Sequence, residues 1–269
     1  LSSALWNGQA ASGESLLSRG LHYGDGVFRT MLSIDGEPRM LEMHLEALER
    51  DALQLRMQPP PGALLAAECR RLAAGHARVV LKLMLLRKAG GRGYRPGRDD
   101  CDRLLLSSEA PQYPPDLVTQ GIRAFRSPVI LAQQPLLAGA KHLNRLEQVL
   151  ASRDWPDGVD EGILCDAEGH AICGTRSNLF WVREGRLGTS PLRTCGVRGV
   201  MRHRILELAR QQNLNVELRD LSWTALQQAD EVFVSNSLIG LWPVRSLEDR
   251  MLAAPGPVTA VLLQALSLP

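Results

Sequence analysis

Of the 31 lysines and arginines in this 269-residue chain, only Lys82, Lys88 and Lys141 are lysines. Wherever a cation alone suffices, the sequence writes arginine. A retained lysine therefore points to amine chemistry: it can lose its proton and attack a carbonyl, which a guanidinium does not do. Lys141 sits in LLAGAKHLNRLEQVLA (residues 136–151), between a small-residue turn and an apolar-striped segment that reads as a helix. An ordinary surface lysine at a helix start accounts for that position equally well.

Other segments have the chemistry of anion binding. CGVRGVMRH (Cys195–His203) sets two glycines just before a helical pattern, so the backbone N–H groups near Val200 and Met201 are suited to a phosphate, although a plain turn explains the glycines as well. VSNSL (Val234–Leu238) ends an apolar strand in Ser235, Asn236 and Ser237, whose side chains serve a phosphate or a turn. GGRGYRPGR (Gly90–Arg98) carries three arginines and Tyr94 on a loop, apt for carboxylates or simply cationic surface. RGLHYGDGVFRT (Arg19–Thr30) packs three glycines before a strand, as for a close approach to a ligand or a hairpin corner. A rare lysine, a phosphate cradle, strand-end hydroxyls and cationic loops together are what pyridoxal phosphate requires.

Composition excludes several other classes. A net charge of +2 is too balanced for a nucleic-acid or membrane-surface protein. Five scattered cysteines form no C-x-x-C pair or zinc-spaced cluster, and no H-E-x-x-H occurs, so neither a disulfide framework nor a metal is expected. With no signal peptide or membrane-length apolar run, a reduced cytoplasmic setting is expected.

The elements that must position these residues alternate irregularly. Gly26–Met40 reads as two strands around Asp35-Gly36, followed by a helix with Met43, Leu45, Leu48, Ala52 and Leu55 at helical spacing. Pro59–Pro61 ends that helix, and a second one closes at Gly75. Residues 77–87 form a buried strand, with 102–110 as its partner. Further on come strands near 122–127 and 161–166, a hairpin around Glu184-Gly185, a helix after Gly199 and a strand before Ser235. The three prolines of Pro111–Gly121 mark a boundary. The expectation is a small N-terminal α/β domain (1–112), a linker (113–121) and a larger C-terminal domain (122–269). The fold class is α/β in the mixed α+β sense rather than a regular βαβ array.

In order and wording, RGLHYGDGVFRT, HLEAL, LKLMLLRKAGGRGY, KHLNRLEQV, GTRSNLFW, GVRGVMR and SNSLIGLWPV resemble the fold-type IV pyridoxal-phosphate enzymes over nearly the whole chain. That group includes branched-chain aminotransferases, D-amino-acid aminotransferases and 4-amino-4-deoxychorismate lyase. KHLNRLEQV and GGRGY are most similar to the lyase branch. The resemblance implies a two-domain, D-amino-acid aminotransferase-like fold, pyridoxal 5′-phosphate as cofactor, a small-molecule substrate and a homodimer. It makes Lys141 the Schiff-base lysine and acid/base. Gly199, Val200 and Met201 become the helix start on the phosphate, Ser237 the hydroxyl on it, and Asn178 the Asn of the N-L-F turn. Arg92 and Tyr94 fall near substrate carboxylates, in a loop reaching across a dimer interface, while Tyr23, Arg29 and Thr30 line the pocket.

Two positions depart from the family pattern. Where H-L-x-R-L has a phosphate-binding Arg, this chain has Ala47, with Arg50 three residues on as a substitute. Where a Glu pairs with the pyridine nitrogen, it has Cys173. A thiol is a poor substitute for that carboxylate. Transamination suffers more from this than a lyase reaction driven by aromatisation, so the resemblance implies conversion of 4-amino-4-deoxychorismate to p-aminobenzoate, for folate, and pyruvate. The alternatives are a D-amino-acid or branched-chain aminotransferase, and a relative that has lost the cofactor chemistry and acts as a binding protein.

Overall fold

A computed structural model describes residues 3–10, 18–90 and 93–267. The chain divides into two compact units, Leu1–Gln112 with Ala140–Asn144, and Tyr113–Gly139 with Arg145–Pro269.

The first unit contains β1 (Ser3–Trp6), β2 (Gln9–Ala10), α1 (Arg19–Tyr23), β3 (Gly26–Ile34), β4 (Glu37–Pro38), α2 (Leu41–Gln54), α3 (Gly62–Ala73), β5 (Arg78–Arg87) and β6 (Cys101–Glu109). Its six-stranded sheet runs β2-β1-β6-β5-β3-β4. The hairpin at Asp35-Gly36 forms because both residues take positive φ, 49° and 80°, which the Asp and Gly tolerate. Alternation along β3 sends Val27, Arg29 and Met31 to one face. There Val27 and Met31 join Leu81, Leu83 and Leu105 of the sheet, Leu41, Leu48 and Ala52 of α2, and Leu65 and Cys69 of α3 in one core. The buried face of α2 is Leu41, His44, Ala47, Leu48, Asp51 and Ala52. Of the apolar spacing expected on this helix, Leu48 and Ala52 lie in the core and Leu45 and Leu55 pack against it; what the spacing leaves out is the polar part of the same face, His44 and Asp51.

The second unit contains α4 (Asp116–Thr119), β7 (Ile122–Ile130), α5 (Leu146–Ala151), β8 (Glu161–Cys165), β9 (Ala171–Gly174), β10 (Asn178–Arg183), β11 (Arg186–Thr189), α6 (Val200–Gln211), β12 (Val216–Leu218), α7 (Trp223–Leu226), β13 (Glu231–Asn236), β14 (Gly240–Leu247), β15 (Arg250–Met251) and α8 (Pro257–Ser267). Its sheet runs β12-β11-β10-β13-β14-β7-β8-β9, and β9 also pairs with β10, so the path closes on itself. Inside lie Ile122, Ile163, Leu179, Trp181, Val232, Val234, Trp242 and Val244. Residues 113–121, expected as a linker, carry α4 and belong to this unit, where the Tyr113 ring meets Trp242 edge-on at 4.8 Å. Architecture is mixed α+β in both units. No helix among the described residues is long and apolar enough to cross a membrane.

Candidate active site

Lys141 does not open a helix, contrary to expectation: α5 begins only at Leu146. Residues 140–144 instead run alongside β3. Phe28 N–H donates to Lys141 O at 2.9 Å, Leu143 N–H donates to Gly26 O at 3.0 Å, and Val27 bridges His142. From α2, Asp51 Oδ2 accepts the N–H of Lys141 at 2.8 Å. The N–H and C=O of Lys141 are therefore both held by fixed partners. Its Nζ lies 4.7 Å from the centroid of the Phe28 ring, and Lys82 Nζ lies 4.9 Å from the same ring, which attracts an ammonium.

A buried polar cluster backs this segment. Arg29, 2% exposed, donates to Asp51 Oδ2 and, at 3.1 Å, to Ala47 O. Burial lowers its pKa to about 10 against the opposing pull of Asp51. The structure thus places Arg29 inside the core, in an ion pair. Arg50, the expected substitute on the phosphate, is 46% exposed and reaches Asp51 Oδ1 at 3.1 Å. His44 is buried, and neither ring nitrogen has a hydrogen-bond partner among the described residues. Burial first, then Arg29 and Lys141, drives its pKa down to about 3, so the ring is neutral. Ala47 also lies on this buried face.

The other residues expected to line the pocket also belong to the first unit. Thr30 pairs with Lys82 across β3 and β5. Tyr23 and Tyr94 have ring centroids 5.5 Å apart. Arg19 stacks on Tyr23 at 4.8 Å, pairs with Asp25 at 2.8 Å and donates to Gly93 O and Tyr94 O at 2.9 Å each. The backbone at Gly93 and Tyr94 is thereby tied to α1, while the Tyr94 side chain is 86% exposed. Arg92 lies outside the described residues.

In the second unit, Gly199 caps α6 with extended backbone, and neither a side-chain cap nor an acidic residue occupies the first turn. The first turn of this helix thus carries no acidic side chain of its own to meet its early N–H groups. Arg202 in that turn is buried and donates to Ser190 O at 2.9 Å; burial and neighbouring Arg198 lower its pKa to about 10. Asn178, on β10, donates to Val197 O at 2.7 Å, and a Cβ on Gly199 would lie 2.2 Å from Asn178 Oδ1. Only glycine permits that approach. Asn178 pairs with Cys173 of β9. The Cys173 thiol is pushed far up by burial, then by Cys195 and Glu161, and stays protonated. Ser237 is half-buried in the turn after β13, which Asn236 holds by accepting from Leu238 N–H and Ile239 N–H at 2.8 and 3.0 Å. Ser235, on β13 itself, is fully buried, and its Oγ has no partner among the described residues.

Sequence reading passes over Asp51, His44, Glu161 and Arg202. Asp51 and His44 do leave a signal, since they lie on the buried stripe of a helix. Glu161 is 1% exposed and accepts from Gly162 N–H, Thr175 N–H, Thr175 Oγ–H and Ser177 Oγ–H, at 2.7 Å for the last. It holds the loop before Asn178, and no local pattern marks it.

An anion is what the uncapped α6 start suits, with two arginines nearby and no acid in its first turn. A phosphate-bearing group therefore fits the second unit. The first unit offers a secured lysine, whose amine suits capture of an aldehyde. Cys173, where the resemblance implies a Glu, offers a neutral thiol rather than a carboxylate.

Comparison with known proteins agrees with this chemistry. The chain is 32% identical to the aminodeoxychorismate lyase of Vibrio harveyi over 244 residues, 90% of each chain. It matches the crystal structure of the 4-amino-4-deoxychorismate lyase from Pseudomonas aeruginosa with a TM-score of 0.91 and 41% identity, over 98% of this chain and 97% of that one. The Escherichia coli branched-chain amino acid aminotransferase matches with a TM-score of 0.86 and 27% identity, over 98% and 93% of the two chains. Another branched-chain amino acid aminotransferase, from T.th. and solved with pyridoxamine 5′-phosphate, matches with a TM-score of 0.83 and 25% identity, over 98% and 92%. The family model for amino-transferase class IV matches residues 26–247, and the chain belongs to that family.

Proposed function

We propose that the protein is a pyridoxal-phosphate-dependent lyase converting 4-amino-4-deoxychorismate to p-aminobenzoate and pyruvate. The observation that carries this is Lys141: a scarce lysine, secured through N–H and C=O, with its amine set over Phe28. Likeness to two lyases over nine-tenths or more of the chain supports the choice of substrate.

When bound, pyridoxal 5′-phosphate supplies an aldehyde for amine capture and a ring that accepts electrons. In the proposed assignment, the Gly199–Met201 helix start and Ser237 hold the phosphate, and Asn178 supports that helix start. Lys141 Nζ would hold the cofactor through its aldehyde and would be free to act as acid and base once substrate is bound. The freed amine then takes the proton from substrate C4 and returns one to the departing enolpyruvyl carbon. The C4–H electrons complete the aromatic ring as the C–O bond breaks, so p-aminobenzoate and pyruvate account for every atom. Tyr23, Thr30, Arg92 and Tyr94 are proposed to meet the substrate. With its pKa raised by burial, Cys173 would offer the cofactor's ring nitrogen a neutral thiol in place of a carboxylate. Aromatisation supplies the driving force that transamination lacks, which favours a lyase over an aminotransferase.

The exposed Tyr94 loop is consistent with a homodimer in which that loop meets a second subunit. Five free, buried cysteines are consistent with a reducing, cytoplasmic setting. The test is borohydride reduction of the protein with pyridoxal 5′-phosphate, peptide mapping of the adduct, and assay of pyruvate release. A pyridoxyl group on Lys141 with pyruvate release from aminodeoxychorismate is the expected result. Transamination of branched-chain or D-amino acids without pyruvate release would assign the aminotransferase instead, and a protein that takes up no cofactor would be left with a binding role.

A further inference from the structure

We infer that Asp51 is the positioning residue for Lys141, a role that rests on the function proposed above. Three elements meet at its carboxylate, which is 0% exposed. Asp51 itself comes from α2. Arg29, from β3, donates to Oδ2, as does the Lys141 N–H at 2.8 Å, while Arg50 reaches Oδ1 at 3.1 Å. Arg29 follows Phe28 on β3, and Phe28 is the residue whose N–H holds Lys141 O and whose ring lies under Lys141 Nζ. One carboxylate thus ties the lysine main chain to both the helix and the strand that define where its amine can reach. With N–H and C=O both held, only side-chain torsions remain to move Nζ. An amine that must first capture an aldehyde and later take a proton gains from that restriction.

The competing role for Asp51 is charge neutralisation alone. A buried Arg29 needs a counter-ion whether or not Lys141 does chemistry, and removing one partner of a buried pair leaves the other charge stranded. Asp51→Ala alone therefore cannot separate the two roles. Two double variants can, because both remove the Arg29 charge: Arg29→Met/Asp51→Asn retains a side-chain oxygen for the Lys141 N–H, and Arg29→Met/Asp51→Leu does not.

The readout that needs no cofactor is hydrogen exchange in protein labelled with [15N]lysine, where Lys82, Lys88 and Lys141 give the only labelled backbone amides. The Lys141 amide is expected to exchange about tenfold faster in the Leu double variant than in the Asn one, with Lys82 unchanged, as for loss of one hydrogen bond. In the pyruvate assay, kcat is expected to fall by about the same factor while KM moves little, since the lysine is displaced and the substrate contacts are not. Equal exchange and equal kcat in the two double variants would overturn the inference and leave Asp51 as the counter-ion of Arg29 alone. If wild-type protein captured no pyridoxal phosphate at Lys141, the proposed function would fall, while the exchange comparison would still decide whether Asp51 holds the lysine.

Discussion

His44 gives a direct test of the polar cluster behind Lys141. Its imidazole is buried with neither nitrogen partnered among the described residues, and Arg29 and Lys141 add to the cost of charging it. In the unfolded chain it titrates near 6.5; in the folded protein it titrates at about 3. Between those values the unfolded state binds one more proton than the folded state. The stability linked to His44 is thus fully present above pH 6.5 and is lost as pH falls toward 3. The slope is about 1.4 kcal/mol per pH unit, so a drop from pH 6 to pH 4.5 costs roughly 2 kcal/mol from this residue alone. Carboxylates also titrate in that range, so the measurement must be a difference. His44→Leu keeps an apolar filler of similar size, removes two buried orphan nitrogens and abolishes the titration. It is expected to be neutral or more stable than wild type by about 1–2 kcal/mol at pH 7, with the advantage widening toward pH 4.5. Denaturant unfolding at half-unit pH steps measures the widening, and the ring signals of His44 by NMR should stay unmoved from pH 7 to pH 4.5. Parallel stability curves for wild type and His44→Leu would refute the reasoning, because they require an imidazole that is charged, or hydrated, in the folded state.

Three further outcomes are expected. Burial raises Cys69 and Cys101 to about 12 and Cys195 to about 11, and pushes Cys165 and Cys173 up as well, so native protein at pH 8 should react slowly with a disulfide reagent at all five thiols and completely once denatured. Gly199→Ala drives a methyl into Asn178 Oδ1, which should cost about 1–3 kcal/mol and weaken retention of pyridoxal phosphate. Adding Asn178→Ala should give a double variant less damaged than the sum of the two, as read by denaturation and cofactor titration. Glu161→Gln can keep its oxygen on Gly162 N–H, Thr175 N–H and Thr175 Oγ–H while its NH2 faces Ser177 Oγ, which must turn from donor to acceptor, and a loss of about 1–3 kcal/mol from the lost charge-assisted bonds is expected in chemical unfolding.

What is legible in the sequence, and what is hidden, divides along one physical line. Hairpins are readable at Asp35-Gly36 and Glu184-Gly185 because the turn chemistry is local and each carries a glycine at a positive-φ position. The α6 start is readable because glycine before an amphipathic run is also a local signal. Lys141 reads wrongly as helical because Leu146, Val149 and Leu150 imitate a buried stripe, yet all three are exposed in α5. What holds Lys141 lies far away in the chain: Asp51 is 90 residues upstream, and the β3 strand further still. No window of ten or fifteen residues contains that information.

A related gap concerns α2. Hydrophobic spacing finds Leu45, Leu48, Ala52 and Leu55 on its inner side but passes over the polar residues that share it. Here the inner face carries His44 and Asp51, and the facing strand carries Arg29 between Val27 and Met31. Charge on a buried stripe costs free energy unless it is paired, so its presence calls for a partner and a purpose. The partner of Asp51 is Arg29, and the remaining oxygen contacts go to Arg50 and to the main chain of Lys141. The positions that a hydrophobic pattern passes over therefore include the one whose carboxylate accepts the Lys141 N–H. An inward-facing charge on an amphipathic helix should accordingly be read as a pointer to the site it supports rather than as noise in the periodicity.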